Sequence, residues 1–85
     1  MLKNDRLTND EYSEIKNNDY SLAHIGFCYR NLHNPDKAIS FFKKAIVINT
    51  AYFWAISELA YCYELKKKYN QALKMYFSAL AIKTD

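Results

Sequence analysis

Glycine and proline each occur once in this 85-residue chain, at Gly26 and Pro35, and cysteine only twice. Two cysteines are too few for a disulfide scaffold. A chain so poor in glycine and proline, yet rich in Ala, Leu, Ile, Lys and Tyr, reads as all-helical. No apolar run approaches the roughly 20 residues that a membrane helix needs, and the polar start MLKNDRLTND resembles no secretory signal. A cytoplasmic protein without a membrane span is the expectation. Gly-rich phosphate loops, nucleophile elbows and zinc-hydrolase boxes are also missing, so neither catalytic residues nor a cofactor is expected. The net charge of +3 is mild. It permits nucleic acid binding without arguing for it.

What the sequence does have is a repeat. Sliding it by 34 residues lays Cys28 on Cys62, Tyr29 on Tyr63, Ala38 on Ala72, Ala45 on Ala79, Ile48 on Ile82 and Thr50 on Thr84. Gly26 falls on Ala60, Leu22 on Ile56, Ile25 on Leu59, Phe27 on Tyr61, Ile39 on Leu73, Phe42 on Tyr76 and Ile46 on Leu80. Charges and loops drift while the apolar register holds, which is the mark of one folding unit used twice.

Each copy reads as helix, short turn, helix. Leu22, Ile25, Gly26 and Tyr29 share one helical face over about Tyr20 to Leu32. Asn34 then suits an N-cap and Pro35 a first helical position. The following helix, about Pro35 to Ile48, is expected to bury Ala38, Ile39, Phe42, Ala45, Ile46 and Ile48. In the second copy a helix from about Tyr52 to Lys67 is expected to bury Ile56, Leu59, Ala60 and Tyr63. Its partner, about Asn70 to Lys83, is expected to bury Ala72, Leu73, Tyr76, Ala79, Leu80 and Ile82. Antiparallel helices approach within about 8 to 10 Å only where side chains are small. Gly26 and Ala60 supply that smallness on the first helix of each pair, which explains a mid-helix glycine that costs about 1 kcal/mol relative to alanine.

This arrangement resembles the tetratricopeptide repeat family. The resemblance lies in Leu22, Ile25-Gly26, Tyr29, Ala38, Phe42 and Ala45, and again in Ile56, Leu59-Ala60, Tyr63, Ala72, Tyr76 and Ala79. It departs at Thr50 and Thr84, where the family usually has proline, and at His33 and Lys67, which lack the common turn glycine. The fold it implies is an all-α solenoid of two antiparallel helical hairpins in a right-handed superhelix, with residues 19–52 and 53–85 as the repeats. Residues 1–18 are then either a polar tail or a short capping helix over Asn9 to Lys16, started by a Thr8–Glu11 capping box and a Leu7–Tyr12 staple. With no further helix after the second hairpin, Met75, Phe77 and Leu80 are expected to be partly exposed. Such an end suits either self-association or a place in a longer array.

The resemblance also implies where a partner binds. In the family the first helix of each repeat lines an inner face, here Tyr20, Ala23, Phe27, Arg30, Asn31, Trp54, Ser57, Tyr61, Glu64 and Leu65. Four aromatics with Arg30 and Glu64 suit a protein or peptide ligand, so the partner-binding set is Tyr20, Phe27, Arg30, Asn31, Trp54, Ser57, Tyr61 and Glu64. Phe27 and Tyr61 serve equally well as packing between repeats, whereas Trp54 and Tyr20, near the helix starts, are expected to face the groove. A Lys and Asn clamp for chaperone C-terminal carboxylates is absent, since Ala23 and Phe27 stand in its places. The alternative function is RNA binding by a pentatricopeptide-like module, with Lys43, Lys44, Lys66, Lys67 and Lys68 on phosphates. Gly26 and the 34-residue period favour the first family, and lysines at a helix end also complement the helix dipole. His24 with Cys28, and Glu58 with Cys62, have ligand spacing at equivalent helix positions. Burial of cysteine and repeat identity account for that match better than a metal does, so none is expected.

Overall fold

The structure, a computed structural model, describes residues 18–84, whose secondary structure is four helices joined by short turns. They are α1 (Asp19–Asn31), α2 (Pro35–Ile48), α3 (Phe53–Leu65) and α4 (Tyr69–Thr84). The capping box of Thr8 and Glu11, and the staple of Leu7 and Tyr12, lie outside the described residues.

Helix starts follow local chemistry. The Asn18 side chain accepts from the Ser21 N–H at 3.0 Å, and the Asn34 side chain from the Lys37 N–H at 3.3 Å, each satisfying a donor that the first turn leaves open. Pro35 occupies the first turn of α2, where a missing N–H costs nothing. α3 starts without a side-chain cap at Tyr52. The chain before it is turned by Asn49, whose side chain accepts from the Ala51 N–H and donates to Asp19 Oδ2 at 3.0 Å, tying the end of α2 to the start of α1.

The two hairpin turns are the same turn. In the first, His33 donates to the Arg30 carbonyl and Asn34 to the Tyr29 carbonyl; in the second, Lys67 donates to Glu64 and Lys68 to Tyr63. This is the paired closure of a helix end through a left-handed residue. His33 and Lys67 adopt φ of 61° and 62°, so the backbone conformation that usually draws glycine is kept with bulkier residues, at about 1 kcal/mol each. The turn also ends α3 at Leu65, two residues short of the sequence expectation. Lys66 caps α3, and Lys67 leaves the helical region.

α1 packs antiparallel on α2 and α3 on α4, and α2 and α3 join the hairpins. At the centre Phe42 is fully buried, surrounded by Leu22, Ala23, Ala38, Ala45, Ala55, Leu59, Cys62, Tyr63 and Ala72. Gly26 faces this ring. A Cβ there would meet Phe42 Cε1 at 3.0 Å, Cδ1 at 3.1 Å and the Ala38 carbonyl oxygen at 3.2 Å. The space that the glycine leaves is therefore occupied by Phe42 and the α2 backbone.

Several residues expected in the core lie elsewhere. Ile48, Leu73, Tyr76 and Leu80 are exposed, whereas Ala72 and Ala79 on the same helix as the last three are buried. For Leu73, Tyr76 and Leu80 the cause is positional. α2 has α1 on one side and α3 on the other, but α4 has only α3 packed against it among the described helices. The expected partial exposure at this end is seen at Phe77, Leu80 and Met75. No described helix is long and apolar enough to cross a membrane.

Candidate protein-binding face

α1 and α3 place their matching residues side by side, and the pairs differ in what they touch. Trp54, in the first turn of α3, reaches back across α1. Its ring lies 5.8 Å from Phe27, 5.1 Å from His24 and 6.1 Å from Tyr52, and it meets Phe42 edge-on at 6.4 Å. Trp54 is half-buried and belongs largely to the junction between hairpins. Tyr20, its counterpart in the first repeat, is 61% exposed and stacks obliquely on His24 at 4.1 Å.

Farther along the same helices, Arg30 organises a second cluster. Its guanidinium carbon lies 4.9 Å from the Phe27 ring centre and 5.0 Å from that of Tyr61. Nε donates to Glu58 Oε1 at 2.7 Å. Both partners of this ion pair are largely shielded, so the bond crosses from α1 to α3 in a medium where charge-assisted hydrogen bonds keep their strength. Phe27, Arg30 and Tyr61 thus form one aromatic and cationic strip, held by Glu58 from behind. Tyr61 remains 40% exposed.

The remaining lining positions are less uniform. Ala23 is fully buried and lines nothing; it is too close to the junction to reach solvent. Asn31, Glu64 and Leu65 are exposed and Ser57 is half-buried. The Tyr76 hydroxyl donates to Glu64 Oε1 at 3.0 Å, so the second helix of the hairpin contributes an aromatic that the lining pattern did not name. Burial, and then that bond to Glu64, push the Tyr76 hydroxyl up from its usual value. The 34-residue register carried a signal of this role, because Glu64 replaces Arg30 and a tyrosine hydroxyl replaces the bare Phe42 ring.

The lysines are spread over separate contacts. Lys43 lies over Tyr63 and Lys44 over Phe41, each of them a cation above a ring. Lys66 pairs with Asp36 across the hairpins, while Lys67 serves the turn through its left-handed backbone. Among the described residues no group of three or more His, Cys, Asp or Glu side chains is placed to hold a metal ion. Of the four residues with ligand spacing, Glu58 holds Arg30, His24 stacks between Tyr20 and Trp54, and Cys62 is fully buried while Cys28 is exposed.

The cysteines provide a direct check on the packing. Burial, together with the charge of Glu58 and against that of Arg30, pushes the Cys62 thiol up from 9.0 to about 11. A raised value in the folded state means that the protonated thiol stabilises the fold. That contribution is complete below the ordinary value and is lost as pH rises through the folded one. The thermal midpoint is therefore expected to fall between about pH 9 and pH 11, and the raised hydroxyls of Tyr52 and Tyr76 add loss of the same sign. With a chromogenic thiol reagent at pH 8, Cys28 should react promptly and Cys62 only after unfolding. Two thiols reacting at once would show that the junction is open.

Residues 19–52 match the family model of the tetratricopeptide repeat, whereas comparison with curated proteins finds no match. The matched span covers α1, its turn and α2. α3 and α4 repeat its helix order, its turn geometry and its apolar register. The first hairpin, residues 19–52, is thus similar to a tetratricopeptide repeat, and a second helical hairpin of the same build follows it.

Proposed function

We propose that this chain is an adaptor or scaffold module that binds a peptide or helix of a protein partner on the face formed by α1 and α3, without catalysing a reaction. Tetratricopeptide repeats are in general protein–protein interaction modules, and the family match supports that class. The observation that carries the finer reading is the strip of Phe27, Arg30 and Tyr61, with exposed Tyr20 at one end and Glu64 at the other. Rings and an arginine, held in place by Glu58 and Trp54 behind them, offer contact area with little further loss of side-chain freedom on binding. Asn31 and Ser57 add hydrogen-bonding capacity beside them.

The test compares the intact chain with a Tyr20→Ala, Tyr61→Ala variant in pull-downs from lysate, with and without nuclease. Both substituted rings are exposed, so the variant should keep its helical content. Protein bands lost in the variant and indifferent to nuclease support the reading. Retained nucleic acid on both proteins, with protein bands that vanish on nuclease treatment, would replace it by RNA binding through the lysines.

A further inference from the structure

We propose that the outer face of α4 is a docking surface for α1 of a second copy of this chain, so that copies associate head to tail. The argument comes from the junction already inside the molecule. There the second helix of one hairpin, α2, is covered by the first helix of the next, α3. Phe42 and Phe27 meet Trp54, Arg30 pairs with Glu58, and Lys43 lies over Tyr63.

Advancing this junction by one 34-residue repeat places its second half on the first helix of another copy. The Phe42–Trp54 and Phe27–Trp54 contacts become Tyr76 and Tyr61 against Tyr20, Lys43 over Tyr63 becomes Phe77 against Tyr29, and Arg30–Glu58 becomes Glu64 with His24. Each translated pair is chemically compatible. Ring meets ring, and the Arg30–Glu58 pair is replaced by a carboxylate on the leading hairpin that can accept from an imidazole N–H on the following helix.

Exposure at the two ends agrees with this register. Tyr69, Leu73 and Phe77 are 57%, 53% and 65% exposed along one side of α4, and an open depression beside them is lined by Glu64, Tyr69, Ala72, Leu73 and Tyr76. At the opposite end Tyr20 and Leu32 are 61% and 71% exposed. The equivalent cysteines make the same point, since Cys62 is sealed by the neighbouring hairpin and Cys28 is not. A contiguous apolar face of this kind marks an interaction surface. Two different faces that fit each other give a heterologous contact, which extends from copy to copy.

The docking contact shares Tyr20, Tyr61 and Glu64 with the proposed partner-binding face, so its test uses residues outside that set, and its readout is mass rather than capture of a partner. Leu73→Glu blocks the α4 face and Cys28→Arg blocks the α1 face. Both positions are exposed, and circular dichroism with thermal melting verifies the fold of each variant. Phe77→Glu and Leu32→Glu serve as second variants on the same faces. Sedimentation of the full chain over a wide concentration range is expected to show mass increasing beyond a dimer. Each blocked variant alone should sediment as a monomer, and a mixture of the two should form one-to-one pairs and nothing larger. A full chain that is monomeric at every concentration overturns the proposal. So does association that survives Cys28→Arg and Leu32→Glu but not Leu73→Glu, which would mean α4 pairing with α4, and so does association indifferent to all four changes.

Discussion

Gly26→Leu is expected to lower stability by about 3 kcal/mol or more, enough to leave much of so small a domain unfolded at ambient temperature. The first atom of any side chain at this position already meets the Phe42 ring at 3.0 Å and the Ala38 carbonyl oxygen at 3.2 Å. Neither can withdraw. Phe42 is fully buried among its neighbours, and the carbonyl belongs to the α2 backbone. Leucine would add three further carbons to that conflict and force α1 away from α2. Gly26→Ala separates the two terms, because alanine gains about 1 kcal/mol of helix propensity while meeting the same close contacts. In a Phe42→Leu background, where the ring is gone, Gly26→Ala should cost less than it does in the intact chain. Urea unfolding of the four proteins reads this coupling, and strict additivity would mean that the glycine is not there for Phe42.

Trp54→Ala should cost about 3 kcal/mol and separate the hairpins, while Tyr20→Ala at the matching position should stay within about 0.5 kcal/mol. The residues occupy the same place in their repeats and differ in size and in what lies beside them. Trp54 has rings of both hairpins around it, Phe27 and Phe42 from the first and Tyr52 from the approach to the second. Tyr20 has His24 on one side and solvent on the other. With Trp54 removed, unfolding followed through Tyr fluorescence and through helical circular dichroism should cease to coincide, because the units of a repeat protein stand by their interfaces. A single transition at the original midpoint would place the junction energy elsewhere, with Arg30 and Glu58 as the next candidates.

Much of this fold is legible in the residues themselves. Pro35 after an asparagine marks the start of α2, and the recurrence of small and large apolar residues at helical spacing gives both hairpins and their pairing. The role of Gly26 follows from its alignment with Ala60 and from the ring of Phe42 opposite. What periodicity does not carry is which neighbour exists. Leu73, Tyr76 and Leu80 obey the same pattern as Ile39, Phe42 and Ile46, and a pattern cannot tell that α3 covers one set while no described helix covers the other. The end of α3 was hidden for a related reason. Lys66-Lys67-Lys68 has good helix formers throughout, and it is the carbonyls of Tyr63 and Glu64, claimed by the following turn, that stop the helix there.

The proposed binding face shows the same division. That Tyr20, Arg30, Tyr61 and Glu64 lie on the first helix of each hairpin is readable from the register. Their number in sequence could not reveal that Trp54 turns inward to bridge the hairpins, that Ala23 is sealed, or that Glu58 holds Arg30 over two rings. Those facts depend on contacts between residues about 30 positions apart, and side chains of different shape at equivalent places settle them differently. Trp54 reaches back because it has a hairpin behind it; Tyr20 has none among the described helices.

The most direct measurement of the central claim is site-specific photo-crosslinking. A photoreactive amino acid replaces Ser57, half-buried on α3 beside the aromatic strip, or Ser40, exposed on α2. After irradiation in lysate the two proteins are compared for covalent adducts by gel and mass spectrometry. The account predicts discrete protein adducts from position 57 that weaken in the Tyr20→Ala, Tyr61→Ala background, with few or none from position 40. Adducts from position 40 alone, or nucleic acid joined at either position, would contradict it.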